Sequence, residues 1–241
     1  MAVRIFVDFD GTITNEDVGN SFFRTFGGPS CDRIVREYRE GRISAVDCFL
    51  QEAAEVGSFN PDDARQFFRS QPIDESIHSL IEFSRNRGYE VTVLSDGLDL
   101  YLSEILGVNR LKHIPFYSNI AECVPDRAGS ASLKLDFPHT DAECPRCACC
   151  KRNIMMTDCS DTDVIVLVGE GHSDTCPAAF ADIVFAKSYL QTFCQRENIS
   201  YFPYQSFHDV VDRLAGMSES GRGLKQGTRA RLRRQELFRT E

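Results

Sequence analysis

No stretch of the 241 residues comes near the ~18 consecutive apolar residues of a membrane-crossing helix, so the chain reads as soluble. The start, "MAVRIFVDFDGTIT", also lacks the apolar core of a secretory signal, because Asp8 and Asp10 interrupt it after a few residues. A cytoplasmic protein is expected. In that reducing compartment the ten cysteines do not read as a disulfide framework, which leaves burial, metal binding or catalysis as their uses. Positive charge is scarce, 27 Lys+Arg against 36 Asp+Glu. An acidic body lacks the basic face that phosphate neutralisation needs, so nucleic-acid binding by the main fold is not expected. Much of the basic charge sits at the end: Ser218 to Glu241 hold seven Lys+Arg (Arg222, Lys225, Arg229, Arg231, Arg233, Arg234 and Arg239) against three Glu, leaving the rest of the chain at a net −13. Residues 218–241 read as a flexible basic tail; RNA or an acidic protein is the partner its charge would suit. Tryptophan is absent, and no internal repeat or low-complexity segment precedes the tail.

What is present is an ordinary globular composition, 42% hydrophobic and 26% charged, in a length suited to one domain with an inserted module. "VRIFVDF" is a run of β-branched and aromatic residues, the mark of a strand buried on both faces. From Asn15 to about Ile73 the period becomes helical in four segments, a helical insertion between strands. Phe22, Phe23 and Phe26 within it have the spacing of a helix core stripe. The strand-helix rhythm then resumes with "YEVTVLSDG", "HIPFYSN", "DVIVLVGEGHSD" and "DIVFAK", with an irregular stretch or hairpin over 121–139. The fold class expected is α/β, a Rossmann-like parallel sheet flanked by helices, with residues 1–14 and 74–217 as core and 15–73 as helical insertion.

Three of these strands end in polar groups: Asp8 and Asp10, then Ser95, then Glu170 and Asp174. In open α/β sheets ligands bind outside the carboxyl ends of the strands. Carboxylates gathered there repel one another unless a cation joins them, and an all-oxygen set suits Mg²⁺, which keeps several waters and takes one or two carboxylates with phosphate oxygens. A phosphoryl site is the inference. Arg39, Arg42 and His172 also have suitable chemistry, but helix charges and rim histidines are more ordinarily solvated.

"DFDGT" at Asp8 to Thr12, the strand ending in Ser95, Lys151, and "GEGHSD" at Gly169 to Asp174 resemble, in order, the four motifs of the haloacid dehalogenase superfamily. The insertion after the first motif resembles the small helical cap of its phosphoserine phosphatases. The Cys-Lys pair with "VGEGHSDTCPAA", "VFAKSYL" and "YFPYQSF" is similar to the superfamily's methionine-salvage phosphatases, and around the Cys-Lys pair to its phosphocholine and phosphoethanolamine phosphatases. The resemblance covers roughly residues 3 to 210.

It implies a Mg²⁺-dependent phosphomonoesterase acting on a small phosphate ester. Asp8 would be the nucleophile and Asp10 the general acid and base. Thr12, Ser95, Gly97 and Lys151 would bind the phosphoryl group, and Asp8, Asp10, Glu170 and Asp174 the metal. The sequence departs from the family in having Glu170 where Asp is usual. A phosphotransferase, an inactive phospho-ligand binder and a zinc-stabilised binding module are the rival readings. A dehalogenase lacks the carboxylate that Asp10 supplies.

"CPRCACCK", residues 144–151, puts four cysteines and one lysine into eight positions. Cys144 and Cys147 have the spacing of a zinc knuckle, and Cys149 and Cys150 supply further candidates for a structural Zn²⁺ that would pin the loop aiming Lys151. The alternative is small buried residues packing a reduced loop.

Overall fold

The computed structural model describes residues 1–126, 129–219 and 223–237. Among the described residues seven strands run in the order β4-β3-β2-β1-β5-β6-β7, mostly parallel and flanked by helices, as the period of the sequence leads one to expect. The chain divides into two compact units, and β2 (Glu90–Leu98) contributes residues to each.

The first unit comprises Met1–Ile13, Ile73–Leu94 and the chain from Lys151 onward. β1 (Val3–Asp8) lies between β2 and β5 (Val164–Gly169), parallel to both, with Ile5 opposite Val91 and Val166. Ile5, Phe6 and Val7 are at most 1% exposed and all six residues of β5 are buried, which is why both strands are near-continuous apolar runs. Burying each such side chain contributes about 1.5–3 kcal/mol. β6 (Ile183–Ala186) and β7 (Phe202–Pro203) extend the parallel order. The helices are α5 (Ile77–Arg87), closed by Gly88 in the left-handed conformation, α7 (Lys151–Asp158), α8 (Thr175–Ala178), α9 (Ser188–Arg196), α10 (Phe207–Glu219) and α11 (Thr228–Leu237).

The reading of 218–241 as a flexible tail is corrected over the described part. Leu224 and Ala230 are buried, and Arg234 donates to both oxygens of Asp182 (3.0 and 3.2 Å) and to the Phe180 carbonyl. Arg229 and Arg233 also donate to backbone carbonyls. These arginines serve as hydrogen-bond donors to the chain itself, which net charge along a sequence does not reveal. Arg222 and Arg239 lie outside the described residues.

The second unit comprises Thr14–Pro72 and Ser95–Cys150. Helix α1 (Val18–Gly27) starts at Asp17, whose side chain accepts from Asn20 N, and α2 (Ser30–Arg39) follows. Ser44 and Asp47 form a capping box before α3 (Ala45–Val56), and Asn60 with Pro61 opens α4 (Pro61–Arg69). Phe22 is fully buried with Phe23, Phe26, Phe59 and Phe68 around it at ring separations of 5.1 to 6.0 Å. Phe22 and Phe23 are therefore core. After α6 (Asp99–Val108), β3 (Phe116–Pro125) and β4 (Ala131–Asp136) pair antiparallel, Ile120 opposite Asp136. The strand expected to end at Asn119 continues to Pro125 because β4 supplies its hydrogen-bond partners. The helical insertion read over 15–73 thus shares a unit with this hairpin, to which it is stitched by reciprocal Phe59–Ala131 backbone bonds.

Candidate active site

The site in the first unit begins where β1 ends. Asp8 is 5% exposed, and after Phe9 the chain turns back, with Thr12 N and Ile13 N both donating to Phe9 O. Gly11 takes a φ of 71° in that turn, and a Cβ there would stand 2.9 Å from Glu170 Oε1. The carboxylate of Glu170 therefore reaches back over the first motif, a reach the extra methylene permits. The Thr12 hydroxyl donates to Asp8 Oδ2 at 3.0 Å.

Lys151, the first residue of α7, is 1% exposed and donates to Asp8 Oδ1 at 2.5 Å and Asp174 Oδ1 at 2.8 Å. Asp174 is fully buried. Its other oxygen accepts from the backbone N–H groups of Glu170 and Gly171 at 3.1 and 3.0 Å. Its carboxylate passes so close over Gly169 that a Cβ there would lie 2.5 Å from Oδ2. Asp174 thus shapes the fourth motif as well as holding the lysine.

Burial pushes the Asp8 carboxyl well above the usual carboxylate range, and the charge of Asp174 adds to the rise; Lys151 opposes it by charge and hydrogen bond. Burial alone would lower the Lys151 ammonium, but the carboxylates of Asp174 and Asp8 outweigh it and hold the proton on. Two buried carboxylates face one buried ammonium, with Asp10 and Glu170 half-buried at the same strand ends. This excess of negative charge, on oxygen donors alone, fits a hard divalent cation such as Mg²⁺. Among the described residues no three His, Cys, Asp or Glu side chains form a ready-made cage. Mg²⁺ does not need one, since carbonyl, water and phosphate oxygens complete its shell.

Ser95 and Gly97 lie in the second unit at the end of β2. Ser95 is fully buried, and its hydroxyl accepts from Gly97 N at 2.9 Å. The residue between them, Asp96, is one that sequence reasoning passed over. Its Oδ1 accepts from Ala148 N (2.8 Å) and Cys149 N (2.7 Å), while Cys150 N donates to His139 O at 2.7 Å. The zinc expectation for Cys144, Cys147, Cys149 and Cys150 is corrected. No metal-ligating group forms there among the described residues, and Cys149 and Cys150 are buried. The task expected of zinc, pinning the loop before Lys151, falls to the Asp96 carboxylate. The alternation of "SDG" carried no signal for this, because its partners lie 52 and 53 residues on. Of the other candidates, His172 is exposed and stacks on Tyr189 with ring centroids 3.6 Å apart.

Residues 3–197 match the family model described as "Putative Phosphatase". A 2-hydroxy-3-keto-5-methylthiopentenyl-1-phosphate phosphatase of Exiguobacterium sibiricum is 30% identical over 224 residues, 89% of this chain and 97% of the relative. A protein of the same name from Bacillus cereus is 28% identical over 91% of this chain and 99% of its own. Among solved structures, a phospho-aspartyl intermediate analogue of phosphoserine phosphatase aligns with a TM-score of 0.68 at 16% identity, covering 88% of this chain and 98% of that one. A substrate-bound phosphoserine phosphatase complex aligns at 0.62 and 18% identity, with the same coverage. By the length of the family match the chain belongs to the Putative Phosphatase family, and its fold is that of the solved phosphoserine phosphatases.

Proposed function

We propose that this phosphatase hydrolyses 2-hydroxy-3-keto-5-methylthiopentenyl-1-phosphate in the methionine-salvage pathway of the cytoplasm, through an aspartyl-phosphate on Asp8. The observation that carries the chemistry is the buried Asp8–Lys151–Asp174 cluster at the strand ends. The substrate comes from the names of full-length relatives at 28–30% identity.

Asp8 attacks phosphorus through one carboxylate oxygen, dividing one difficult displacement into two easier ones. Asp10 protonates the departing alcohol and then takes a proton from the water that hydrolyses the acyl phosphate. Lys151, already charged and desolvated, offsets phosphoryl charge without reorganising. Thr12 supplies a further hydrogen bond to the phosphoryl group, and Ser95 and Gly97 are the phosphate-binding candidates that the resemblance implies. Asp8, the Asp10 carbonyl and Glu170 would hold Mg²⁺, which supplies charge neutralisation at the phosphoryl oxygens when bound. Asp174 would stand in or beside that ligand set, and it also orients Lys151 and the fourth motif. The helices over 15–73 are read as the cap that the resemblance to phosphoserine phosphatases implies.

The test is phosphate release from a panel of esters, containing the methionine-salvage ester, phosphocholine, phosphoethanolamine and phosphoserine, with and without Mg²⁺, for wild type beside Asp8→Asn. Mg²⁺-dependent release, greatest from the methionine-salvage ester and lost in Asp8→Asn, is the expected result. Preference for another ester would overturn the substrate, and release that survives Asp8→Asn would overturn the mechanism.

A further inference from the structure

Asn119, in β3, is fully buried, although asparagine is ordinarily a surface residue. Its Nδ2 donates to the Asp96 carbonyl of the neighbouring strand β2 at 2.6 Å, while its Oδ1 has no hydrogen-bond partner among the described residues. An apolar side chain of the same size would place no orphan oxygen in the core, so stability alone does not account for an asparagine here.

The Asp96 carbonyl and the Gly97 N–H belong to one planar peptide group. Its N–H end donates to Ser95 Oγ at 2.9 Å and its carbonyl end accepts from Asn119, so the plane is held at both ends. Glycine populates both signs of φ, and nothing local stops a peptide that precedes it from turning over. The grip of Asn119 supplies that restraint. The Asp96 side chain is fixed separately, by Ala148 N and Cys149 N. The bond from Gly97 N takes a lone pair of Ser95 Oγ and not its proton, which orients that hydroxyl as a donor.

We propose that Asn119 is a positioning residue for phosphoryl binding: by gripping the Asp96 carbonyl it sets the direction of the Gly97 N–H and, through that N–H, of the Ser95 hydroxyl. The proposal rests on the reading of Ser95 and Gly97 as the phosphate-binding pair of the second motif. Without the amide donor the peptide can rotate, Gly97 N leaves Ser95 Oγ, and both donors lose their fixed direction. Donors already in place stabilise charge as it develops on a phosphoryl group, so the loss falls on the transition state more than on the bound ester.

The experiment compares Asn119→Leu, Ser95→Ala and the double variant, with kcat and KM measured on the best ester of the panel and Tm on each protein. Calorimetric titration with orthovanadate in the presence of Mg²⁺ reads phosphoryl binding apart from turnover, because vanadate takes up the five-coordinate shape of phosphoryl transfer. Asn119→Leu is expected to lower kcat about tenfold with KM within about threefold. It should weaken orthovanadate by a similar factor and add little in the Ser95→Ala background. Asn119→Ala carries the same expectations and takes its place if the leucine variant does not fold. A kcat and an orthovanadate affinity within about twofold of wild type, or effects that multiply with those of Ser95→Ala, would overturn the proposal. A lowered Tm with unchanged orthovanadate affinity would also overturn it, since that is the mark of a merely structural residue. If Ser95→Ala turns over and binds orthovanadate like wild type, the reading of the second motif has failed and the proposal with it; if Ser95→Ala is impaired and Asn119→Leu is not, the positioning role alone has failed.

Discussion

Lys151 decides the electrostatics of the site, because it is the buried cation between Asp8 and Asp174. Replacing it by methionine keeps the volume and leaves two buried carboxylates uncompensated. Lys151→Met is expected to lower kcat by about 100- to 1000-fold and to cost several kcal/mol of stability, roughly 3–5 for a broken buried pair. Steady-state kinetics and denaturant unfolding check the two parts. Lys151→Arg should not restore activity, since a planar guanidinium cannot occupy the seat of a compact ammonium. Asp8, Asp10, Lys151 and Glu170 were legible as candidates because short motifs carry their chemistry in consecutive letters. Asp96 was not. It acts through hydrogen bonds to Ala148 N and Cys149 N, far along the chain, and such bonds leave no local pattern.

At the scale of elements, α3 carries a buried titratable group. Glu52 is 4% exposed, its Oε1 has no hydrogen-bond partner, and burial pushes its carboxyl up to about 8. Between the ordinary glutamate range and about 8 the native state holds a proton that the unfolded chain releases. Stability must therefore fall as pH rises through that window and level off above it. Glu52→Gln should remove roughly 2–4 kcal/mol of this decline between about pH 5 and pH 8.5, measured by denaturant unfolding at the two ends. A decline of equal depth in the variant would assign it to another group. Helix α11 supports a second prediction. Asp182 is fully buried at its side chain and paired with Arg234, and it also accepts from Ile165 N and Gly227 N. Arg234→Ala should cost about 3–5 kcal/mol, because it leaves a buried carboxylate without its cation. A loss below about 0.5 kcal/mol, the range of ordinary surface substitutions, would return α11 to the status of a loose tail.

For the whole molecule, the parallel strands were legible because "VRIFVD" and "VIVLVG" have the composition of strands covered on both faces. The extent of the second unit was less so. Helical period ends near residue 73, yet the compact unit also takes in Ser95–Cys150 through the Phe59–Ala131 bonds and the Tyr38 hydroxyl, which donates to Arg146 O. Periodicity reports which face an element buries but not which later segment covers it.

Rapid acid quench of the enzyme turning over the methionine-salvage ester with Mg²⁺, followed by peptide mass spectrometry, tests the covalent intermediate itself. A phosphoryl group is expected on the peptide bearing Asp8, absent when Mg²⁺ is withheld and absent in Asp8→Asn. Turnover of that ester with the phosphoryl group on another residue, or unchanged turnover by Asp8→Asn, would contradict it.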